Sequence, residues 1–250
     1  MSAVWTPEKI EGYKQASEYT SFHKRLSVLA APYLDKRWTL ADIGCGPGLL
    51  DFWLAPMVAG IDAIDSDSAA IDDLNARLDD VFLTDRQTAE KIRPRLASLQ
   101  DLAGGSWDVV LLSFFGFDAA AIEATLALAA RRAIVFMHGR PDTEGPLAAE
   151  DDGGKLSAAG LEAYLGERGF AFKKSVMEMQ FGQPFKSLAD IHRLLASYDG
   201  GDGKRSAGIE ERIEKTNRFD YPYYLPKSIS VAMFVILAGQ AAGTRKAAGA

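Results

Sequence analysis

Three glycines in five residues, Gly44, Gly46 and Gly48, follow the apolar stretch WTLADI, and Asp42 stands two residues before the first of them. Glycine adopts positive φ without steric cost and has no Cβ to hold a ligand away from the main chain. Where such a run leads from a strand into a helix, the unpaired N–H groups of the first helical turn face whatever approaches. The stretch from Asp42 to Gly48 therefore reads as a cradle for a ligand that meets the backbone. Its spacing narrows the ligand. Dinucleotide-binding turns use G-x-G-x-x-G, with the third glycine three positions after the second, whereas here every step is two. A phosphate-binding P-loop requires G-K-S or G-K-T, and no such pair follows Gly48.

A cradle of this kind needs a strand to carry it and neighbours to complete it. The apolar runs WTLADI (38–43), AGIDAID (59–65), WDVVLLSFF (107–115) and RRAIVFMH (131–138) read as strands, each entering a polar or glycine-containing turn. Between them, Ile71, Leu74 and Leu78 form one helical stripe and Ile122, Leu126 and Ala129 another, and the glycine run opens a helix near Leu49. Strand and helix in alternation predict an α/β fold with a mostly parallel sheet covered on both faces, whose ligands gather at the carboxyl ends of the strands.

The last third changes rhythm. Ser157 caps a helix bearing Leu161, Tyr164 and Leu165, AFKKSVMEMQF (171–181) alternates like a strand, and Ser187 with Asp190 forms a capping-box pattern before Ile191, Leu194, Leu195 and Tyr198. The glycine-rich DGGDGKRSAG (199–208) reads as a mobile loop, and the tail GTRKAAGA as frayed. Because a final strand begins at Ser228, the helix and loop of about residues 184–227 read as an insertion between two strands, a common position for substrate recognition. Residues 1–37 form a separate N-terminal helical segment ahead of a core spanning 38–250.

Composition sets the outer limits. The chain has 250 residues, 48% of them hydrophobic, which is enough for one large α/β domain around a sizeable core. A net charge of −6 argues against a nucleic-acid partner, since phosphate neutralisation needs clustered Lys and Arg. The single cysteine, Cys45, precludes an internal disulfide and fits a reducing cytoplasm. The polar start lacks a secretory pattern, and the longest apolar run, Ser228 to Gly239, falls short of the roughly 20 residues that span a bilayer. No metal site is expected.

With Asp42 in place, D-x-G-x-G-x-G resembles the first motif of the class I S-adenosylmethionine (SAM) dependent methyltransferases. The resemblance implies a Rossmann-like sheet of seven mostly parallel strands, SAM as cofactor with S-adenosylhomocysteine (SAH) as product, and an N-terminal helical lid. It also implies an acidic residue at the end of the second strand to receive two ribose hydroxyls, a role that falls on Asp65 with Ser66 beside it. Trp107, Asp108 and VVLLS match the family's fourth-strand signature, which brings Ser113 to the cofactor. After the third strand, which the resemblance puts at PRLASL (94–99), many members carry an acidic residue against adenine; Leu99 and Gln100 occupy that region here. Cys45 lends its backbone to the loop, and Tyr19 in the lid is expected to touch cofactor.

The resemblance covers residues 38–138 best and leaves the acceptor open. Methyl transfer from a sulfonium is an in-line displacement, and a base is needed only where the acceptor must lose a proton. His138, at the end of a strand, and His23, in the lid, are the candidates. Phe114 and Phe115, after Ser113, and Tyr223, in FDYPYYLP, are expected to wall a partly apolar acceptor pocket suited to a small molecule. The tetrapeptides N-P-P-Y and D-P-P-Y, which serve amino methylation of DNA and glutamine, are replaced by Ser113-Phe114-Phe115-Gly116. Two alternatives stay open: a SAM-fold binding module without turnover, and an NAD-type oxidoreductase, which the glycine spacing and the lack of a Tyr-x-x-x-Lys pair disfavour.

Overall fold

Strand segments buried along nearly their whole length are satisfied inside a sheet covered on both faces, and β1 (Thr39–Ile43), β2 (Gly60–Asp65) and β4 (Trp107–Ser113) are of this kind. In the computed structural model, which describes residues 5–140, 154–198 and 209–241, they join β3 (Ile92–Leu96), β5 (Ala129–His138), β6 (Phe170–Gln180) and β10 (Ser228–Ala241) in one seven-stranded sheet of order β3-β2-β1-β4-β5-β10-β6. The first five strands are parallel and β10 runs antiparallel between β5 and β6. The carboxyl ends of β1, β2, β4 and β5 thus lie along one edge, and the order reverses between β1 and β4, where a crevice opens in folds of this type.

The two-residue period of the strands sends alternate side chains to opposite faces. Val110, Leu112 and Val135 pack beneath α6 (Ala119–Leu128) and α7 (Ala158–Glu167), through Ile122, Leu126, Leu161 and Leu165. On the other face Leu40, Val109, Leu111 and Phe136 meet Phe22 and Leu26 of α2 (Phe22–Ala30) and Leu74 of α4 (Ser68–Phe82). Full burial of each such side chain contributes about 1.5–3 kcal/mol. The amino ends of the strands are tied by Asp108, which accepts the Thr39 N–H at 3.0 Å and the Arg131 Nε–H at 2.7 Å and so joins β1, β4 and β5.

Several boundaries differ from the sequence expectation. The glycine run enters only a short α3 (Asp51–Leu54), followed by one 3-10 turn at Ala55–Met57, since Pro56 and Val58 turn the chain back into β2. The long stretch before β3 is filled by α4 and by a one-turn α5 (Arg86–Ala89) capped by Asp85. Strand β3 ends at Leu96, opposite Asp65, so it lies earlier than 94–99. Its successors form a 3-10 turn, Leu99–Leu102, closed by a reciprocal Ser98–Asp101 cap.

The N-terminal helices α1 (Pro7–Thr20) and α2 are separated by Ser21 alone, in the left-handed conformation at φ 54°. The segment before β10 holds more than a helix. Strands β7 (Gln183–Phe185), β8 (Glu214–Lys215) and β9 (Tyr223–Leu225) form a second, three-stranded sheet of order β7-β9-β8, packed with α8 (Leu188–Tyr198). Ser187 and Asp190 cap α8 as the pattern predicts. The stretch 199–208 and the tail from 243 lie outside the described residues. Among the described residues no helix is long and apolar enough to cross a membrane.

Candidate functional site

The chain leaves β1 at Ile43 and makes two tight turns. Gly44 and Cys45 both donate to the Ile64 carbonyl, at 2.8 and 3.1 Å, and Gly48 donates to the Cys45 carbonyl at 3.1 Å. All three glycines hold positive φ, 74°, 56° and 66°, the region that side chains disfavour. Asp65, at the adjoining end of β2, accepts the Gly46 N–H at 2.8 Å and the Asp67 N–H at 2.9 Å. It does not cap the helix that follows; Asp67 does, accepting from Ala69 at 2.9 Å. Each Asp65 oxygen keeps a second lone pair, so the carboxylate organises the loop and can still accept from a ligand.

Beside the loop lies a pair of acids that the sequence only half disclosed. Asp42 and Asp51 are both buried, and Asp42 Oδ1 and both Asp51 oxygens have no hydrogen-bond donor. Burial raises the Asp42 carboxyl to about 7, and the Asp65 charge acts in the same direction. Burial, then the Asp42 charge, carries Asp51 well above the carboxylate range. Two buried carboxyls whose charges repel each other favour a state in which one of them keeps its proton. Arg77, from α4, is the nearby cation, donating to the Pro47 carbonyl at 3.1 Å and lying 4.5 Å over the Phe52 ring. The mark of Asp51 in sequence is an acid inside the otherwise apolar LLDFWLA.

The lid covers this region with aromatic rings. Trp5, anchored by its backbone N–H to Asp67 Oδ2 at 2.8 Å, rests its ring on Gly46: a methyl group there would come within 2.8 Å of Trp5 Cζ2. Tyr13 packs 5.3 Å from Trp5 and 5.5 Å from Phe181. His23 is buried with both nitrogens engaged, Nε2 by the Tyr13 hydroxyl at 2.9 Å and Nδ1 by the Ser17 hydroxyl at 2.6 Å. Burial, reinforced by the Arg77 charge, lowers its pKa to about 3. His23 is therefore a neutral brace between α1 and α2, which corrects the expectation of a proton-transfer role.

At the end of β4, Ser113 is followed by Phe114 in the left-handed region, φ 52°, its N–H bonded to the Phe136 carbonyl at 2.8 Å. The turn directs the two rings apart. Phe114 packs 5.2 Å from His138, the last residue of β5, and 5.7 Å from Phe22. Phe115 lies on the glycine loop, where a methyl group on Gly44 would overlap its ring.

The remaining expected site residues scatter. Ser66 is exposed beside Asp65, and Cys45, its sulfur donating to the Gly46 carbonyl at 3.3 Å, is partly buried in the loop. Leu99 turns into the core below α6, and Gln100 is exposed on the 3-10 turn. Tyr19 points away from the loop, stacking on Tyr224 at 4.6 Å with Arg218 4.7 Å over its ring. Tyr223 packs in the small core of the insertion, because alternation along β9 gives Tyr224 to the lid face instead. Among the described residues there is no group of metal-ligating side chains.

The same fold is found in solved structures of methyltransferases. The chain is similar to the YcgJ protein of Bacillus subtilis, at 11% identity over 88% of this chain and 99% of that one, with a TM-score of 0.54. It is similar to magnesium protoporphyrin IX methyltransferase of Synechocystis with bound SAH, at 15% identity over 94% and 89% of the two chains and a TM-score of 0.51. A proposed RNA methyltransferase of Pyrococcus horikoshii aligns at 13% identity over 87% and 84%, with a TM-score of 0.52. No protein-family model matches the chain, and no curated protein matches it in sequence.

Proposed function

We propose that the protein is a SAM-dependent methyltransferase acting on a small-molecule acceptor. The observation that carries the reading is the positive-φ loop Gly44–Gly48 closing on Asp65 at the carboxyl edge of the sheet. The loop and its acids fit such a cofactor: glycine leaves the backbone approachable, Asp65 retains acceptor capacity toward a diol, and the donor-poor Asp42–Asp51 pair offers negative charge to a cationic ligand. A nicotinamide dinucleotide would bring a pyrophosphate toward these three acids instead.

Bound SAM supplies an electrophilic methyl group on a sulfonium, so catalysis needs an aligned nucleophile and a dry site more than proton transfer. Gly44, Cys45, Gly46 and Gly48 would meet the ligand through their backbone, with Asp42, Asp65 and Ser66 fixing its polar groups. On the adenine side, Gln100 and the backbone of Leu99 would serve, since the Leu99 side chain is committed to the core. Ser113 and Phe114 border the acceptor space, and Phe22 and Phe181, whose tilted rings pack 4.4 Å apart, keep water from it. His138, in ring contact with Phe114, stands where an acceptor proton would be removed or an acceptor oriented. Tyr19 and Tyr223 shape the outer wall through the insertion.

Calorimetric titration with SAH, and with NAD in parallel, tests the cofactor. Saturable binding of SAH alone is expected, and binding of NAD alone overturns the reading. Methyl transfer from labelled SAM to fractionated cell extract then tests the acceptor: label in the small-molecule fraction is expected, whereas label confined to RNA overturns that part. A binding module without turnover is the second reading, favoured by the rings of Trp5 and Phe115 lying on the loop; SAH binding without any labelled product would establish it.

A further inference from the structure

Two aromatic side chains from opposite sides of the site converge on the glycine loop. Trp5 comes from the lid and lies against Gly46; Phe115 comes from the end of β4 and lies against Gly44. Both glycines need their bare Cα for their own φ, and both bare faces are spent on these rings. The contacts are held from behind. The Trp5 backbone N–H donates to Asp67 Oδ2 at 2.8 Å, which fixes the chain that carries the ring, and Phe115 follows the left-handed backbone of Phe114. A bulky residue in that conformation is strained, and strain of this kind clusters at active sites, ligand clamps and switch regions.

We propose that Trp5 and Phe115 form a displaceable aromatic plug on the glycine loop, so that a ligand binds only after the rings leave Gly46 and Gly44. The proposal rests on the reading of this loop as a SAM site. Departure of Phe115 frees the backbone at Phe114 to relax, and departure of Trp5 opens the loop beside Asp65. The plugged form holds down apparent affinity by the fraction of molecules that are open. Trp5 thereby acts in opposition to the ligand and is not a wall of its pocket.

The test uses the full chain and two independent readouts on the parent, Trp5→Ala, Trp5→Phe and Phe115→Ala, each checked for parental circular dichroism. In the first, SAH affinity is measured by calorimetry. Trp5→Ala and Phe115→Ala are expected to bind about tenfold tighter than the parent, and Trp5→Phe, which keeps a ring, to bind nearly as the parent does. Weaker or unchanged binding by both alanine variants overturns the plug. The second readout is the rate at which a thiol reagent labels Cys45, the only cysteine, set between the two plugged glycines. Both alanine variants are expected to label at least several-fold faster without any ligand, and equal rates overturn the plug. If SAH binds neither parent nor variants, the SAM reading fails, and the labelling rates alone decide whether the rings cover the loop.

Discussion

Asp65 accepts the backbone N–H of Gly46 at 2.8 Å, so one carboxylate at the end of β2 fixes the loop that leaves β1. Asp65→Asn keeps the shape but turns one acceptor into a donor facing the Gly46 N–H. SAH affinity is expected to fall at least tenfold by calorimetry. The thermal midpoint should fall as well, because a buried N–H left without an acceptor costs about 1–3 kcal/mol. Parental affinity in this variant would remove Asp65 from the ligand.

The Asp42–Asp51 pair makes stability depend on pH. The folded Asp42 carboxyl titrates at about 7 against an ordinary 3.8, so between these values the native state holds a proton that the unfolded state has released. Stability then declines as pH rises through this window, and the full penalty is present above it. Denaturant midpoints should therefore drop from pH 5 to pH 7.5 in the parent and drop less in Asp42→Asn. A steeper decline in the variant would contradict the retained proton.

Ligand charge gives the pair a second signature. A cationic ligand favours the ionised acids, so SAM should bind more tightly at pH 8 than at pH 6, with proton release on binding at the lower pH. Isothermal titration in buffers of different ionisation enthalpy measures that release directly. No buffer dependence at pH 6 would mean that the acids keep their proton when ligand is bound.

His138 and His23 separate by experiment. His138→Ala should lower kcat for methyl transfer by about 100-fold with SAM affinity unchanged, the usual scale for loss of a positioned acid or base. His23→Ala should act through stability, because it strands the Tyr13 and Ser17 hydroxyls inside the protein. A parental kcat in His138→Ala would leave transfer to positioning alone.

Gly48→Ala tests the packing of the loop against α4. Its methyl group would come within 2.6 Å of Leu74 and 3.2 Å of Asp51, on the side of α4, at a φ of 66°. The thermal midpoint should fall by several degrees, corresponding to about 1–2 kcal/mol. An unchanged midpoint would show that the loop yields easily.

The sheet and the loop were legible in sequence because both obey local rules. Mostly apolar strands alternate with helical stripes, and three glycines at a spacing of two follow an acid. The ends of elements were less legible, since β3 carries Arg93, Pro94 and Arg95 and looks polar until its pairing with β2 is known. The insertion's small sheet escaped notice because β7 and β9 are three residues each and pair across nearly forty residues of chain. The site misled most where a side chain's direction depends on tertiary packing. His23 and Tyr19 sit in the expected lid, yet one braces its two helices and the other stacks on the insertion. Trp5 carried no chemical signal in sequence, and only the fold lays it on Gly46.

Ser21 gives the lid a mechanical character. Its left-handed backbone makes a defined elbow between α1 and α2, with α2 pinned to the sheet by Phe22 and Leu26. The fourteen residues of α1 form a stiff arm of roughly 21 Å at the helical rise per residue. Trp5 sits just beyond the far end. A tilt of about 10° at the elbow sweeps that end through roughly 4 Å. The arm is latched midway by Lys14 on Asp73 at 2.9 Å and near the elbow by Tyr19 on Tyr224. A small angular change beside the insertion thus becomes a large displacement at the glycine loop, and the insertion holds the short end of the lever.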